Sequence, residues 1–396
     1  MGKDLKGKEL GKGLFQRNNG RYIGRFVNRN GKRVEYSDTD LRKVKKWLRD
    51  SVYEDEHGLG CENSLMTVSE WFNIWIENYK KDVVAYSTYK NYVNSFKNHV
   101  EPRIGNMIIS KVKSIDCQNI LNEMDENVLS FGTCNQCRIT MHALFDSALE
   151  NNMILSNPIT KSVKCKQREV NERRVLTKEE QNTFLKYSEG TIYENMYILC
   201  LQTGLRIGEV SGLIWQDIDF ENKQLKVQRT LQFRTKIGMV FGKPKTRNSY
   251  RVIPLTDSAI NALEKQKNKL KELQLKAINW TDDNESFKDL IFKTNTGRPV
   301  APSNVSSAIV RIVSRINMDR RIQEQLGEGE FEEFQPIYMH CLRHTFATRC
   351  IENGVKPKAL QKMLGHSCIS TTMDLYVHVT DEELETEAKK IDLVAI

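Results

Sequence analysis

The chain has 396 residues, enough for two to four domains of ordinary size whose cores need neither disulfides nor a metal to hold them. With 28% charged and 39% hydrophobic residues it reads as a globular protein rather than a disordered one, and it has no apolar run of bilayer-spanning length. The start, Met1-Gly-Lys-Asp-Leu-Lys, lacks a secretory apolar core, and the nine scattered cysteines form no disulfide framework, so a reducing cytoplasm is expected.

The net charge of +9 is unevenly placed. Residues 1–49 hold 15 Lys/Arg against 5 Asp/Glu, and the remaining 45 basic and 46 acidic residues nearly cancel. A short block this basic is the electrostatic footprint of a nucleic-acid contact. Within it, Phe15, Tyr22, Ile23, Phe26, Val27, Val34 and Tyr36 lie in β-prone runs broken by Asn18-Asn19-Gly20 and Asn28-Arg29-Asn30-Gly31. Asn-Gly between such runs signals hairpins. Leu41, Val44, Trp47 and Leu48 then recur at helical spacing. Residues 1–60 are therefore expected to form three strands and a helix. Arg17, Arg21, Arg25 and Arg29 would suit a sheet laid into a DNA groove, or a solvated sheet face.

Residues 51–64 carry mixed polar residues and two glycines without periodicity, and read as a linker. From Thr67 the pattern turns helical, with Thr67 and Glu70 at capping-box spacing and an apolar stripe of Val68, Trp71, Phe72, Trp75, Ile76 and Tyr79. A second helix is expected from about Ser87 to before Pro102, with two more around Ile115–Met124 and Thr133–Asn151. Residues 65–155 thus read as a small all-helical domain. Residues 156–174 contain Lys161, Lys164, Lys166, Arg168, Arg173 and Arg174. This basic interdomain linker could cross a DNA backbone, with Lys164 and Lys166 as candidate phosphate contacts, or simply be exposed.

Residues 175–396 are mostly helical. Thr177 and Glu180 form a capping box before Phe184 and Leu185. Between about Leu225 and Leu255 the pattern changes to strands: Thr230–Arg234 and Met239–Gly242 suggest a hairpin, and Tyr250–Leu255 alternates. A long amphipathic helix with Ile260, Leu263, Leu270, Leu273 and Leu275 follows. Helices with a small antiparallel sheet make an α+β unit.

Two motifs fail on inspection. Cys134 and Cys137 lack a second pair at zinc spacing and sit in a helical pattern, where core packing is the better account. Gly242-Lys-Pro-Lys-Thr246 lacks the spacing of a phosphate loop. The C-terminal part differs, because four of the seven histidines fall between residues 340 and 378. His340 and Arg343, three apart, share a helix face; Leu364-Gly-His366 and Tyr376 follow, and Thr203-Gly-Leu-Arg206-Ile-Gly-Glu209 lies upstream.

Together these resemble the tyrosine site-specific recombinases: Arg206 in Thr-Gly-Leu-Arg-Ile-Gly-Glu, His340-x-x-Arg343-His, Leu-Gly-His366 and Tyr376. Lys245 in Pro-Lys-Thr matches the family's β-hairpin lysine. The first two units also resemble those of phage and conjugative-transposon integrases. One departure is Cys341, where an Asp often follows the histidine. The residue types suit phosphodiester cleavage in their own right. Two guanidiniums are permanently charged forked donors for the non-bridging oxygens, and preorganised donors of this kind are commonly worth about 3–4 kcal/mol each. A tyrosine of ordinary pKa near ~10 needs such a cationic cluster to attack at neutral pH.

The resemblance implies that Tyr376 forms a covalent 3′-phosphotyrosyl link, Lys245 protonates the departing 5′-hydroxyl, His340 assists proton transfer and His366 hydrogen-bonds the phosphate. Glu209 would buttress Arg206, or be an ordinary helix carboxylate. The link conserves the energy of the broken bond, so no cofactor, ATP or metal is implied. The partners implied are double-stranded DNA at core and arm-type attachment sites, three further copies in a synaptic homotetramer, and an accessory excision factor; no membrane contact is implied. A cytoplasmic, nucleoid-associated bacterial protein is expected. Residues 381–396, with Leu384, Ile391, Leu393 and Val394, would either be exchanged between protomers or pack on their own domain. A type IB topoisomerase shares the chemistry but joins no second duplex. A Xer-like resolvase resembles only the last two units, and a DNA-binding protein with a vestigial site would not retain all six residues.

Overall fold

The computed structural model describes residues 2–28, 31–56, 66–167, 174–244, 247–281 and 285–373. The chain divides into two compact units, Met1–Val170 and Asn171–Ile396.

The first unit opens with a strand pair that the hydrophobic pattern does not announce, β1 (Gly2–Lys3) against β2 (Glu9–Gly11). The three expected strands follow as β3 (Leu14–Gln16), β4 (Tyr22–Val27) and β5 (Arg33–Asp38), antiparallel with β4 central. Helix α1 (Leu41–Glu56) lies across this sheet, burying Val44 with Leu10 and Leu14. It can approach because Gly24 has no side chain: a Cβ there would stand 3.1 Å from Val44 and 3.3 Å from Trp47. Strand alternation puts Arg25 on the face away from α1. There it pairs with Glu35 directly across the sheet at 2.9 Å and lies over the Phe15 ring. The linker expected over residues 51–64 does not include Ser51–Glu56, and residues 57–64 lie outside the described residues. Ser51–Glu56 continue α1, since nothing before Gly58 breaks a helix.

The helical part starts with α2 (Val68–Trp75), whose Thr67–Glu70 capping box is formed as the spacing indicates, and continues through a π-helical turn, Ile76–Lys80. Helix α3 (Tyr86–Ser95) runs through a second π-turn (Phe96–Val100) into α4 (Glu101–Ile104), so it does not stop before Pro102. The physical reason is a register shift. Glu101 N–H donates five residues back to Phe96, which places Pro102, lacking a donor, at the start of a new segment. Helices α5 (Ser114–Glu126) and α6 (Phe131–Glu150) complete a core in which Phe72 stacks on Phe96 at 3.7 Å. Cys134 and Cys137 are buried on α6, and desolvation pushes the Cys137 thiol up to about 12. This core extends past residue 155. Ile159 and Val163 are buried in it, and Arg138 holds the Val163 carbonyl at 2.8 Å, so the first part of the expected linker belongs to the folded body.

The second unit contains α7 (Lys178–Ser188), capped by Thr177 and Glu180, then α8 (Glu194–Thr203) and α9 (Ile207–Ser211). Strands β6 (Ile218–Asp219), β7 (Gln224–Val227), β8 (Thr230–Arg234), β9 (Gly238–Gly242) and β10 (Arg251–Pro254) follow. They form not one sheet but two: an antiparallel β10-β7-β6 sheet and a separate β8–β9 hairpin. Helices α10 (Asp257–Lys276), α11 (Pro302–Gln325), α12 (Met339–Glu352), α13 (Pro357–Leu364) and α14 (Ser370–Met373) complete it. A single apolar core joins α7 through α12, with Tyr197, Phe184, Phe292 and Phe334 fully buried. Among the described residues no helix is long and apolar enough to cross a membrane.

Candidate active site

Helix α8 ends where Gly204 turns left-handed, at φ +62°. A Cβ on Gly204 would come within 2.5 Å of Phe346 and 2.8 Å of Leu364, so glycine is required for space as well as conformation. The turn sets Arg206 at the N-cap of α9, where its backbone N–H donates to Glu209 Oε2 and its Nη1 to Oε1, both at 2.9 Å. Glu209 is 2% exposed and also receives both terminal nitrogens of Arg251, at 2.9 and 3.1 Å. Burial alone would raise the Glu209 pKa. Hydrogen bonds and charge from Arg251, then Arg206, outweigh it and hold the carboxylate below its usual range.

Helix α12 begins at Met339 after the extended Tyr338, whose N–H donates to the Cys341 thiol at 3.4 Å. The departure at position 341 thus keeps an acceptor, a weak one, at the helix start. Three residues apart, His340 and Arg343 share a face. Arg343 is 4% exposed, and its two terminal nitrogens donate to the carbonyls of Gly204 (2.6 Å) and Leu364 (2.7 Å). Burial first, then Arg206, push its pKa down to about 9, so it remains a cation at neutral pH. Burial, then Arg343 and Arg206, lower the pKa of His340, which keeps its imidazole neutral.

Helix α13 ends at Leu364, and Gly365, at φ +66°, turns the chain toward His366. The His366 Nδ1 shares a 2.9 Å hydrogen bond with the buried Thr372 hydroxyl of α14, which fixes the ring. Arg206, His340, Arg343 and His366 all line one cavity of about 270 Å³, with His344 and Thr371 beside them. Two arginines, a neutral imidazole and an oriented second histidine around a small cavity suit a phosphodiester whose non-bridging oxygens gain charge in the transition state. Among the described residues no group of three or more His, Cys, Asp or Glu is placed to hold a metal ion.

Lys245 and Tyr376 lie outside the described residues, as do Arg29 and the tail from residue 381. Of the candidate DNA contacts, Arg17 and Arg25 both pair with Glu35 on the exposed sheet face, Arg21 and Lys164 are exposed, and Lys166 pairs with Asp125 at 2.9 Å. Sequence reasoning missed the roles of Arg251 and Thr372. Arg251 had a legible signal, an arginine at the inward position of an alternating strand beside the buried Ile253. Thr372 had none.

The chain belongs to the phage integrase family, which matches residues 174–383, and residues 67–124 match the N-terminal SAM-like domain of phage integrases. It is a tyrosine site-specific recombinase, an enzyme that cleaves and religates DNA. Among curated relatives it is 27% identical to a XerC-like tyrosine recombinase of Caldanaerobacter subterraneus subsp. tengcongensis, over 91% of this chain and 92% of the relative. It is 24% identical to the transposase from transposon Tn916 of Enterococcus faecalis, over 98% and 96%. The integrase of transposon Tn1549, solved in complex with transposon right end DNA, is 26% identical with a TM-score of 0.69, over 83% of this chain and 100% of that one. The lambda integrase tetramer bound to a Holliday junction shares the fold, with a TM-score of 0.55 at 20% identity over 94% and 98%.

Proposed function

We propose that this recombinase integrates and excises a mobile element of the conjugative-transposon kind, cutting and rejoining attachment-site DNA through a covalent 3′-phosphotyrosyl intermediate. The observation that carries this reading is the convergence of Arg206, His340, Arg343 and His366, from three separate stretches of sequence, on one cavity. Arg206 and Arg343 bind the non-bridging oxygens of the scissile phosphate and stabilise the charge that builds there. Neutral His340 can take the proton of the attacking hydroxyl. His366, its ring held through Nδ1 by Thr372, hydrogen-bonds the phosphate. Tyr376 is the nucleophile and Lys245 the acid for the departing 5′-hydroxyl, on sequence position alone. A second DNA 5′-hydroxyl then attacks the phosphotyrosine, reversing the bond changes and restoring the tyrosine without ATP.

Residues 65–155 and 175–396 clamp the core site, with the 156–174 segment crossing the backbone. Residues 1–60 bind arm-type sites through the sheet face that carries Arg25. Four protomers act on two duplexes in the cytoplasm, on nucleoid DNA, and an accessory factor favours excision. Likeness to the Tn916 transposase over 98% of the chain, the basic N-terminal segment included, and to the Tn1549 integrase solved with transposon right end DNA supports this reading.

The test is covalent trapping on a nicked duplex from the element's ends, comparing the native chain with Tyr376→Phe. An adduct on the 3′-phosphate formed only by the native chain is expected; an equal adduct from Tyr376→Phe would remove Tyr376 as nucleophile. Removing residues 1–60 should spare core-site cleavage and impair integration, and unchanged integration would refute arm binding.

A further inference from the structure

Arg251 has no part in the reaction as read above, yet its side chain is only 5% exposed and makes four hydrogen bonds. It stands on β10, six residues after Lys245 in sequence, and its guanidinium takes Glu209 with both terminal nitrogens. With the two bonds from Arg206, each Glu209 oxygen accepts two hydrogen bonds and is saturated. Glu209 therefore engages only one terminal nitrogen of the Arg206 side chain. Among the described residues, Arg206 Nε and Nη2 have no protein acceptor, which leaves them for a ligand. Without Arg251, the buried Glu209 charge would have a single guanidinium to pair with, and Arg206 would be drawn onto it as a fork.

The other edge of Arg251 acts on the second half of the site. Its Nε donates to the Met363 carbonyl at 2.6 Å, while Arg343 holds the next carbonyl, Leu364, at 2.7 Å. These are last-turn carbonyls of α13, which the helix itself cannot satisfy. Two buried arginines thus fix the turn through Gly365 from which His366 projects. At Gly365 a Cβ would stand 3.1 Å from the Arg251 side chain, so the contact is close.

We propose that Arg251 is a positioning residue for strand cleavage: it clamps Glu209 so that Arg206 keeps donors free for the scissile phosphate, and it fixes the turn that carries His366. The inference rests on reading Arg206 as a phosphate-binding arginine.

The test uses the full chain and a nicked suicide duplex bearing either the ordinary phosphodiester or a methylphosphonate at the scissile position. The methylphosphonate replaces a charged oxygen with a methyl group, removing the charge that an arginine would stabilise. On the phosphodiester, Arg251→Met should slow adduct formation by about 100-fold, as expected for a misplaced catalytic group. Arg251→Lys should restore only part of the rate, because an ammonium is no fork. Glu209→Gln combined with Arg251→Met removes the unpaired buried charge and should melt closer to the native chain than Arg251→Met alone, while remaining slow because Arg206 loses its anchor and the Met363 carbonyl of the turn carrying His366 stays unclamped. On the methylphosphonate, most of the Arg251→Met defect should vanish, as should that of an Arg206→Ala control. An Arg251→Met defect equal on both substrates, with the Arg206→Ala defect reduced, would mean a merely structural role and overturn the inference. Native speed in the double variant would overturn it too. An Arg206→Ala defect undiminished on the methylphosphonate would instead overturn the reading of Arg206, and the inference with it.

Discussion

Arg343 donates a 2.6 Å hydrogen bond to the carbonyl of Gly204, 139 residues earlier in the chain. Gly204 is two residues before Arg206, so one arginine of the site is anchored on the turn that presents the other. The spacing between the two guanidiniums is thereby set by backbone rather than by flexible side chains. A phosphate needs that rigidity, because misplacement by ~1 Å can cost two orders of magnitude in rate.

Gly204→Ala should therefore damage both fold and activity. The left-handed backbone and the clash with Phe346 and Leu364 should together destabilise the chain by about 2–4 kcal/mol. Urea denaturation measures this, and cleavage should fall even where the variant remains folded. A native midpoint would show that the turn relaxes freely.

Arg343→Lys preserves the charge but loses the second arm that reaches either Gly204 or Leu364. Cleavage should drop by about 100-fold or more, with DNA binding largely retained. Single-turnover adduct formation and a binding titration separate the two effects. Cleavage at the native rate would show that the fork is dispensable.

The free enzyme should show His340 titrating below its ordinary value of 6.5, because burial, Arg343 and Arg206 disfavour the imidazolium. With the folded pKa below the unfolded one, the unfolded chain binds more protons between the two. The stabilising contribution of His340 is then complete above 6.5 and is lost as pH falls through the folded midpoint. Ring-proton NMR should place that midpoint below 6.5, and Arg206→Gln should move it upward. An unshifted midpoint in Arg206→Gln would deny the electrostatic coupling.

Val128, between α5 and α6, is a β-branched residue held at φ +58° with 77% of its surface exposed. It gains little from packing and carries the steric cost of left-handed backbone. Val128→Gly should raise stability by about 1 kcal/mol, visible as a higher melting temperature with unchanged cleavage. A lower melting temperature would mean that the side chain's few contacts outweigh its backbone cost.

Local features were legible in the sequence because they are decided by neighbours in the chain. Thr67 with Glu70 and Thr177 with Glu180 form their caps as their spacing indicates, since a cap is settled within one helical turn. The β3–β4–β5 strands follow from Asn-Gly turns between β-prone runs. The π-turn before Pro102 was not legible, because the register of a helical ladder depends on the core against which Phe96 packs. Nor was the burial of Ile159 and Val163, which follows from an apolar surface assembled by distant helices.

The same division runs through the site. Sequence alone determined which residue types are present and that His340 and Arg343 share a helix face, because a three-residue spacing is enough for that. Only the tertiary structure decided that Glu209 serves two arginines, that Arg251 and Arg343 hold consecutive carbonyls at the end of α13, and that Thr372 orients His366. Those contacts span up to 112 residues, and the two at the end of α13 are to backbone carbonyls, which any residue type supplies. A carbonyl leaves no mark in the sequence, so its partner emerges only when the packed core brings the two together.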